Sequence, residues 1–346
     1  MTATAKTAFL FPGQGAQYPG MALDLLETGS PKLRELFDLA SEIMGRDMAA
    51  LLRDSDAETL KRSDQAQPAI TLANLAAAAL LGERGVYPLA CAGHSLGEYA
   101  ALSVAGLISA ADCLYLVKHR GAAMQRAVER LAGKDKGAAQ GMAQAAGMAQ
   151  AAGMVAVIGL APGRVEELTA RWRVEAKEAG AGEARVLADL YAANFNSPRQ
   201  TVVSGSAAAL ALAGERFLAV GARRVLPLQV AGPFHSPLMA GAAEEFRPVL
   251  EGISFNDPKI PVYSNVTGGR IGSGAEAKKL ALEQITGPVR WTAEEQALGG
   301  TGIELALETG PGKVLQGLWK DSPCSLPCLP AGTAAEIGKL FESQAV

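Results

Sequence analysis

The chain has 346 residues, 49% of them apolar and 19% charged, which is ample material for one large domain or two smaller ones. With 32 basic against 35 acidic residues the net charge is −3, and only 5% of the residues are aromatic. That balance excludes an electrostatic grip on nucleic acid or on an anionic membrane, and it leaves too few rings for a base-stacking platform.

The first apolar run, residues 7–11, reads as a short buried strand stopped by Pro12-Gly13, and it is too short for a signal-peptide core. Ser30 and Pro31 open a helix, serine as the cap and proline in the first turn. Residues 66–81 form a second, more buried helix. Thr71 and Asn74 interrupt it, and it falls short of a membrane span. A strand at 89–92 and a helix at 96–106 follow. Ser109 and Asp112 then cap a long helix reaching about residue 131. Strands alternating with helices predict a parallel α/β sheet. With no leader or span in this reading, a cytoplasmic protein is expected.

From residue 155 the pattern changes. A strand (155–160), a helix (162–179), two strands (185–193 and 201–204), a helix (207–220) and a strand (223–229) give the order β-α-β-β-α-β, the signature of a ferredoxin-like unit. The expected organisation is a large α/β subdomain from 1–136 and 229–346, with the small subdomain at 155–228 inserted into it. A helix near Pro237 and strands at 262–265 and 303–308 return to the α/β pattern. Residues 137–154 carry a tandem G-M-A-Q-A-A repeat. Six residues do not match the helical period, and each glycine costs about 1 kcal/mol against alanine in a helix, so a low-complexity connector is expected. The four cysteines are too sparse for a disulfide framework. Cys324 and Cys328 have no second Cys or His pair nearby, so they read as free thiols rather than zinc ligands.

Gly93-His94-Ser95-Leu96-Gly97 lies between a predicted strand and a predicted helix, the context that a G-x-S-x-G nucleophile elbow requires. Ser95 would stand at a helix N-terminus, where the dipole and free N–H groups stabilise negative charge. A serine nucleophile needs a base, and the chain has 3 histidines. His94 adjoins the serine on a sharp turn, so it lines the pocket or packs beneath it. His119 reads as an ordinary helix residue. His235, in the loop G-P-F-H-S-P between a strand and a helix, is the candidate base. Its orienting partner is left open between an acid and a main-chain carbonyl. The loop after the first strand, Pro12 to Gln17, can supply an oxyanion-hole donor at Gln14 beside the N–H of Leu96. It lacks the lysine and Ser/Thr of a phosphate loop.

F-P-G-Q-G-A-Q at 11–17, G-H-S-L-G-E-Y at 93–99 and G-P-F-H-S-P-L-M at 232–239 resemble the malonyl-CoA:acyl carrier protein transacylases of type II fatty acid synthesis and the related acyltransferase domains of polyketide synthases. R-G-A-A-M-Q at 120–125, N-F-N-S-P at 194–198 and Q-I-T-G-P-V-R-W at 284–291 extend the likeness over residues 7–320. The resemblance implies an α/β-hydrolase-like core with an inserted ferredoxin-like subdomain. It implies Ser95 as the acylated nucleophile, His235 as its base, and the main-chain carbonyl of Gln284 as the imidazole's partner. It also implies Gln14 and Leu96 as the oxyanion hole, and Arg120 as the guanidinium that pairs with the substrate's free carboxylate. Phe234 matches the malonyl-type pattern, methylmalonyl-preferring domains having a smaller residue there. Asn194 and Asn196 fall near where the family contacts coenzyme A or substrate.

The expected reaction is malonyl transfer from malonyl-CoA to acyl carrier protein. No cofactor or metal is implied, malonyl-CoA being the substrate, and the family implies a monomer. The alternatives are a free-standing polyketide-synthase acyltransferase, a serine thioester hydrolase, and a non-catalytic carrier-protein binding module. The repeat is longer than the family's usual connector.

Overall fold

The computed structural model describes residues 6–134, 152–178 and 183–342. Two four-stranded sheets organise them. The first contains β1 (Thr7–Phe11), β2 (Pro88–Gly93), β7 (Leu305–Glu308) and β8 (Cys328–Pro330), in the order β2-β1-β7-β8, with every pair parallel. Parallel strands covered on both faces need apolar residues throughout, and all five residues of β1 are buried. The faces divide by alternation. Phe9 and Phe11 join the larger core, while Ala8 and Leu10 pack on the other side with Trp291 and Trp319.

Between β1 and β2 lie α1 (Leu23–Leu26), α2 (Pro31–Met44), α3 (Met48–Asp54) and the long buried α4 (Ser63–Glu83). The side chain of Ser30 accepts from Leu33 N–H at the start of α2, with Pro31 in the first turn. After β2 come α5 (Gly97–Val104) and α6 (Ala110–Lys134). At the latter's start, Ser109 Oγ donates to Asp112 Oδ2 (2.6 Å) and accepts from Asp112 N–H (3.0 Å).

The second sheet contains β3 (Ala152–Ile158), β4 (Leu190–Ser197), β5 (Gln200–Ser206) and β6 (Arg224–Pro227), antiparallel in the order β4-β5-β3-β6. Helices α7 (Pro162–Glu178) and α8 (Ala207–Ala219) cover it, with the rings of Trp172 and Phe217 4.8 Å apart in a core of its own. This is the β-α-β-β-α-β order expected from the sequence. The chain closes through α9 (Ala240–Glu251), α10 (Gly274–Glu283), α11 (Trp291–Gly299), α12 (Val314–Trp319) and α13 (Ala334–Glu342). Reciprocal bonds tie the small sheet to the large unit: Phe195 N–H to Val289 O and Val289 N–H to Ala193 O, both 2.8 Å.

Three expectations are corrected. The strand expected at 185–193 is a 3-10 turn (Glu183–Asp189) followed by β4, because Leu187 turns into the small core instead of extending along the sheet. Residues 262–265 form no strand: Val262 makes a single parallel bridge to Cys91, and the chain then bends so that Tyr263 pairs with Arg270. Of the connector placed at 137–154, residues 137–151 lie outside the described residues. Ala152–Met154 pair in register with β5, so the small sheet begins at 152 rather than 155.

Candidate active site

The turn from β2 into α5 is held against the end of β1 by close backbone contact. A Cβ on Gly97 would stand 1.9 Å from Phe11 O, and one on Gly13 would stand 2.4 Å from His94 O, so only glycine fits at either position. Ser95, at the apex, has φ 52°, a left-handed conformation that costs a non-glycine residue about 1–3 kcal/mol and lifts its hydroxyl out of the turn. Its main chain is anchored from below, Ser95 N–H donating to Asn265 Oδ1 at 2.6 Å.

His235 also has a positive φ, 56°. Its loop is pinned on both sides. Ser204 Oγ of β5 donates to Phe234 O (2.5 Å), and Ser236 Oγ donates to Pro233 O (2.6 Å). The imidazole Nε2 lies 2.7 Å from Ser95 Oγ. On the other side Nδ1 lies 2.9 Å from Gln284 O and 3.2 Å from Gly287 O. Two carbonyls can only accept, so Nδ1 carries the proton and the neutral ring presents the Nε2 lone pair to the serine. Burial, and then the nearby Arg120 charge, lower the His235 pKa to about 3, so the ring is neutral at physiological pH.

Ser95 and His235 open onto a cavity of about 490 Å³ between the two sheets. Gln14, His94, Asn194, Asn196 and Phe234 line it as well. Asn196 Oδ1 accepts from His94 Nε2 at 2.8 Å, and the His94 ring meets Trp291 edge-on at 5.6 Å. Burial lowers the His94 pKa, so this histidine is a neutral donor occupied with Asn196. His119 is remote from the cavity, its ring packed on Tyr115 at 4.5 Å. Leu96 is buried beside Gly13, and neither Leu96 N–H nor Gln14 N–H donates to another described residue. Two free donors thus flank the serine.

Arg120 stands differently. Its side chain is fully buried and is not part of the cavity wall. The guanidinium sits over the Tyr99 ring and donates to Gln67 Oε1 (2.9 Å) and Gln284 Oε1 (3.0 Å), while Nε has no partner. No carboxylate among the described residues pairs with it directly.

The sequence reading missed a row of buried polar groups beneath the serine. Glu98 Oε2 accepts from Asn265 N–H (3.0 Å) and Gln284 Nε2 (2.7 Å). Asn265 Nδ2 donates to Gly93 O (2.6 Å) and Glu294 Oε1 (2.8 Å). Desolvation raises Glu98 to about 7 and Glu294 well above the usual carboxylate range. Glu98, in the first turn of a buried helix, was the available signal.

The sequence profile of the acyl transferase domain family matches residues 8–183. The fold and this match define the chain as an acyl transferase. It is 37% identical over 316 residues to the malonyl CoA-acyl carrier protein transacylase of Bacillus subtilis, covering 91% of this chain and 90% of that one. Its fold is similar to the solved transacylase of Coxiella burnetii, with a TM-score of 0.83, 30% identity, and coverage of 98% of this chain and 97% of that one. It is also similar to a malonyl-transacylase solved in complex with a type II PKS acyl-carrier protein, with a TM-score of 0.82, 34% identity, and coverage of 98% and 100%. The chain belongs to the malonyl CoA-acyl carrier protein transacylase family.

Among the described residues, no helix is long and apolar enough to cross a membrane, and no group of three or more His, Cys, Asp or Glu side chains is placed to hold a metal ion.

Proposed function

We propose that this chain transfers a malonyl group from malonyl-CoA to the phosphopantetheine thiol of an acyl carrier protein, through an ester on Ser95. The observation that carries the reading is one hydrogen-bonded chain. Ser95 Oγ meets His235 Nε2 at 2.7 Å, His235 Nδ1 meets Gln284 O at 2.9 Å, and Gln284 Oε1 holds the buried Arg120 at 3.0 Å.

In the first half-reaction Ser95 Oγ attacks the thioester carbonyl while His235 takes its proton. The oxyanion forms against the Gln14 and Leu96 N–H groups, which donate to no other described residue. The C–S bond then breaks, and His235 returns the proton to the departing coenzyme A sulfur. In the second half the carrier thiol gives its proton to His235 and attacks the ester, and Ser95 leaves with that proton. Arg120 pairs with the free carboxylate of malonyl in exchange for its two amide acceptors, which acetyl cannot do. Phe234 closes the acyl end of the pocket. Asn194, Asn196 and His94 line the path of the pantetheine arm.

The similarity to a transacylase solved with a type II PKS carrier protein supports polyketide synthesis as a second setting for the same chemistry. Intact mass after brief exposure to malonyl-CoA tests the core of the reading. Wild type gains one malonyl group, Ser95→Ala gains none, and holo carrier protein discharges the adduct. A Ser95→Ala protein that still transfers malonyl overturns the scheme. Rapid release of free malonate without a carrier makes the chain a hydrolase. Discharge rates with fatty-acid and polyketide carriers separate the two settings.

A further inference from the structure

Gln284 is asked to do two things at once. Its main-chain carbonyl orients His235, and its side-chain Oε1 holds Arg120. The second depends on which way the side-chain amide points, and the first on that side chain being anchored, since the anchor holds the residue and with it the main-chain carbonyl. The Oε1 and Nε2 ends of an amide are nearly the same size, and only their partners decide between them. Ser95 O (3.0 Å), Asn265 Oδ1 (3.2 Å) and Glu98 Oε2 (2.7 Å) all accept from Nε2, Glu98 at the shortest distance. Were the amide turned round, Oε1 would face the Glu98 oxygen and the NH₂ would face the Arg120 guanidinium, an unfavourable contact at both ends.

We propose that Glu98 is a positioning residue of the active site: by accepting from Gln284 Nε2 it fixes that amide, and through it holds the His235 imidazole and the Arg120 guanidinium in working geometry. The inference rests on the assignment of Ser95 and His235 as nucleophile and base. Glu98 suits the task because it is fully buried at the first turn of α5, one turn beyond Ser95. Its Oε2 is committed to Gln284 and Asn265, while Oε1 has no partner. The charged and titratable groups facing it are Arg120 from α6, Glu294 from α11 and the adjoining Tyr99. None of them donates a hydrogen bond to Glu98, so its hold on Gln284 is set by the two N–H donors alone.

The test is the rate at which a fluorophosphonate labels Ser95. In that reaction the Ser95 O–P bond forms, the P–F bond breaks and His235 takes the hydroxyl proton, so labelling reads the activated serine without malonyl. Glu98→Met removes the acceptor at similar volume, Glu98→Gln keeps an acceptor oxygen without the charge, and Gln284→Met removes the amide but keeps the main-chain carbonyl. Glu98→Met and Gln284→Met each slow labelling ten- to a hundredfold, on the order of the cost of a misplaced catalytic group. They also raise KM for malonyl-CoA, because Arg120 is freed. Glu98→Gln stays within about threefold of wild type. In the Gln284→Met background, Glu98→Met adds less than about twofold, the limit of independent behaviour.

Equal costs of Glu98→Met in both backgrounds overturn the proposal, as does Glu98→Gln falling as far as Glu98→Met. Wild-type labelling rates in Gln284→Met overturn it even if Glu98→Met does not fold. A wild type that labels but takes up no malonyl refutes the malonyltransferase reading and leaves the positioning result standing. A wild type that does not label removes both.

Discussion

Replacing Arg120 by methionine separates selectivity from catalysis. The guanidinium makes two hydrogen bonds to neutral amide oxygens, from Gln67 and Gln284. Malonyl therefore exchanges two charged–neutral bonds for two charged–charged ones, rather than creating two from nothing. A hydrogen bond involving one charge contributes about 1.5–3 kcal/mol net, and charge on both sides adds about 1–2 kcal/mol more per bond. Summed over the fork, discrimination is about 2–4 kcal/mol, or roughly 30- to 1,000-fold. Arg120→Met should lower kcat/KM for malonyl-CoA by that factor and leave acetyl-CoA unchanged or improved. Initial rates of Ser95 acylation with each thioester, followed by intact mass, measure this. Stability should change little, since the lost hydrogen bonds to Gln67 and Gln284 are offset by relief of the desolvation cost of a fully buried arginine with no carboxylate contact. Equal losses for malonyl and acetyl would show that Arg120 supports the fold of the site and does not select its substrate.

Four further outcomes follow from the geometry. With His235 lowered to about 3 by burial and Arg120, the acylation rate should stay flat from about pH 8 to pH 5, without the inflection near 6.5 of an ordinary histidine. An inflection near 7 that disappears in Glu98→Gln belongs to Glu98. The same shift predicts that His235 favours unfolding as pH falls from about 6.5 towards 3, because the unfolded chain takes up the proton first; acid melts of His235→Gln should lack that dependence. Gly97→Ala places a methyl 1.9 Å from Phe11 O and should abolish the folded turn, read as loss of soluble protein or of fluorophosphonate labelling. Phe234→Ala should raise the methylmalonyl-to-malonyl rate ratio by about tenfold, the worth of room for a methyl group, and an unchanged ratio would remove Phe234 from the acyl pocket.

Residues whose chemistry is tied to local backbone form were legible in the sequence. Gly93-His94-Ser95-Leu96-Gly97 between a strand and a helix announces a tight turn, and with 3 histidines in the chain His235 stood out by its loop. The structure places that histidine, and neither of the others, within hydrogen-bonding reach of Ser95 Oγ. The row beneath was not legible. Gln67, Asn265 and Glu294 look like surface residues to any reading of hydrophobic pattern, and only tertiary packing turns them inward. The strand Cys328–Pro330 was hidden for another reason. It is three residues long and bounded by prolines, which only an edge strand tolerates. The reading of 262–265 failed because Val262 and Tyr263, a β-branched and an aromatic residue, fit a bend beside the sheet as well as a strand within it.

The nature of the imidazole's partners bears on why such a site should transfer rather than hydrolyse. A carboxylate at Nδ1 would stabilise the imidazolium and make His235 a strong base. Here Nδ1 faces two neutral carbonyls, and Arg120 adds a repelling charge. The nearest carboxyl in the row, Glu98, reaches the histidine only through Gln284. A base this weak suits an acceptor that gives up its proton readily. A thiol, with a pKa of about 8.5, does so far more easily than water at about 15.7. The gap of about seven units lies in the attacking group, so weakening the base penalises water, which must be deprotonated during attack, more than a thiol that is partly ionised beforehand. In the proposed reaction the acyl-serine waits for a carrier thiol because its base is too poor to recruit water, and the Gln284 carbonyl standing where a carboxylate could have stood is the structural origin of that patience.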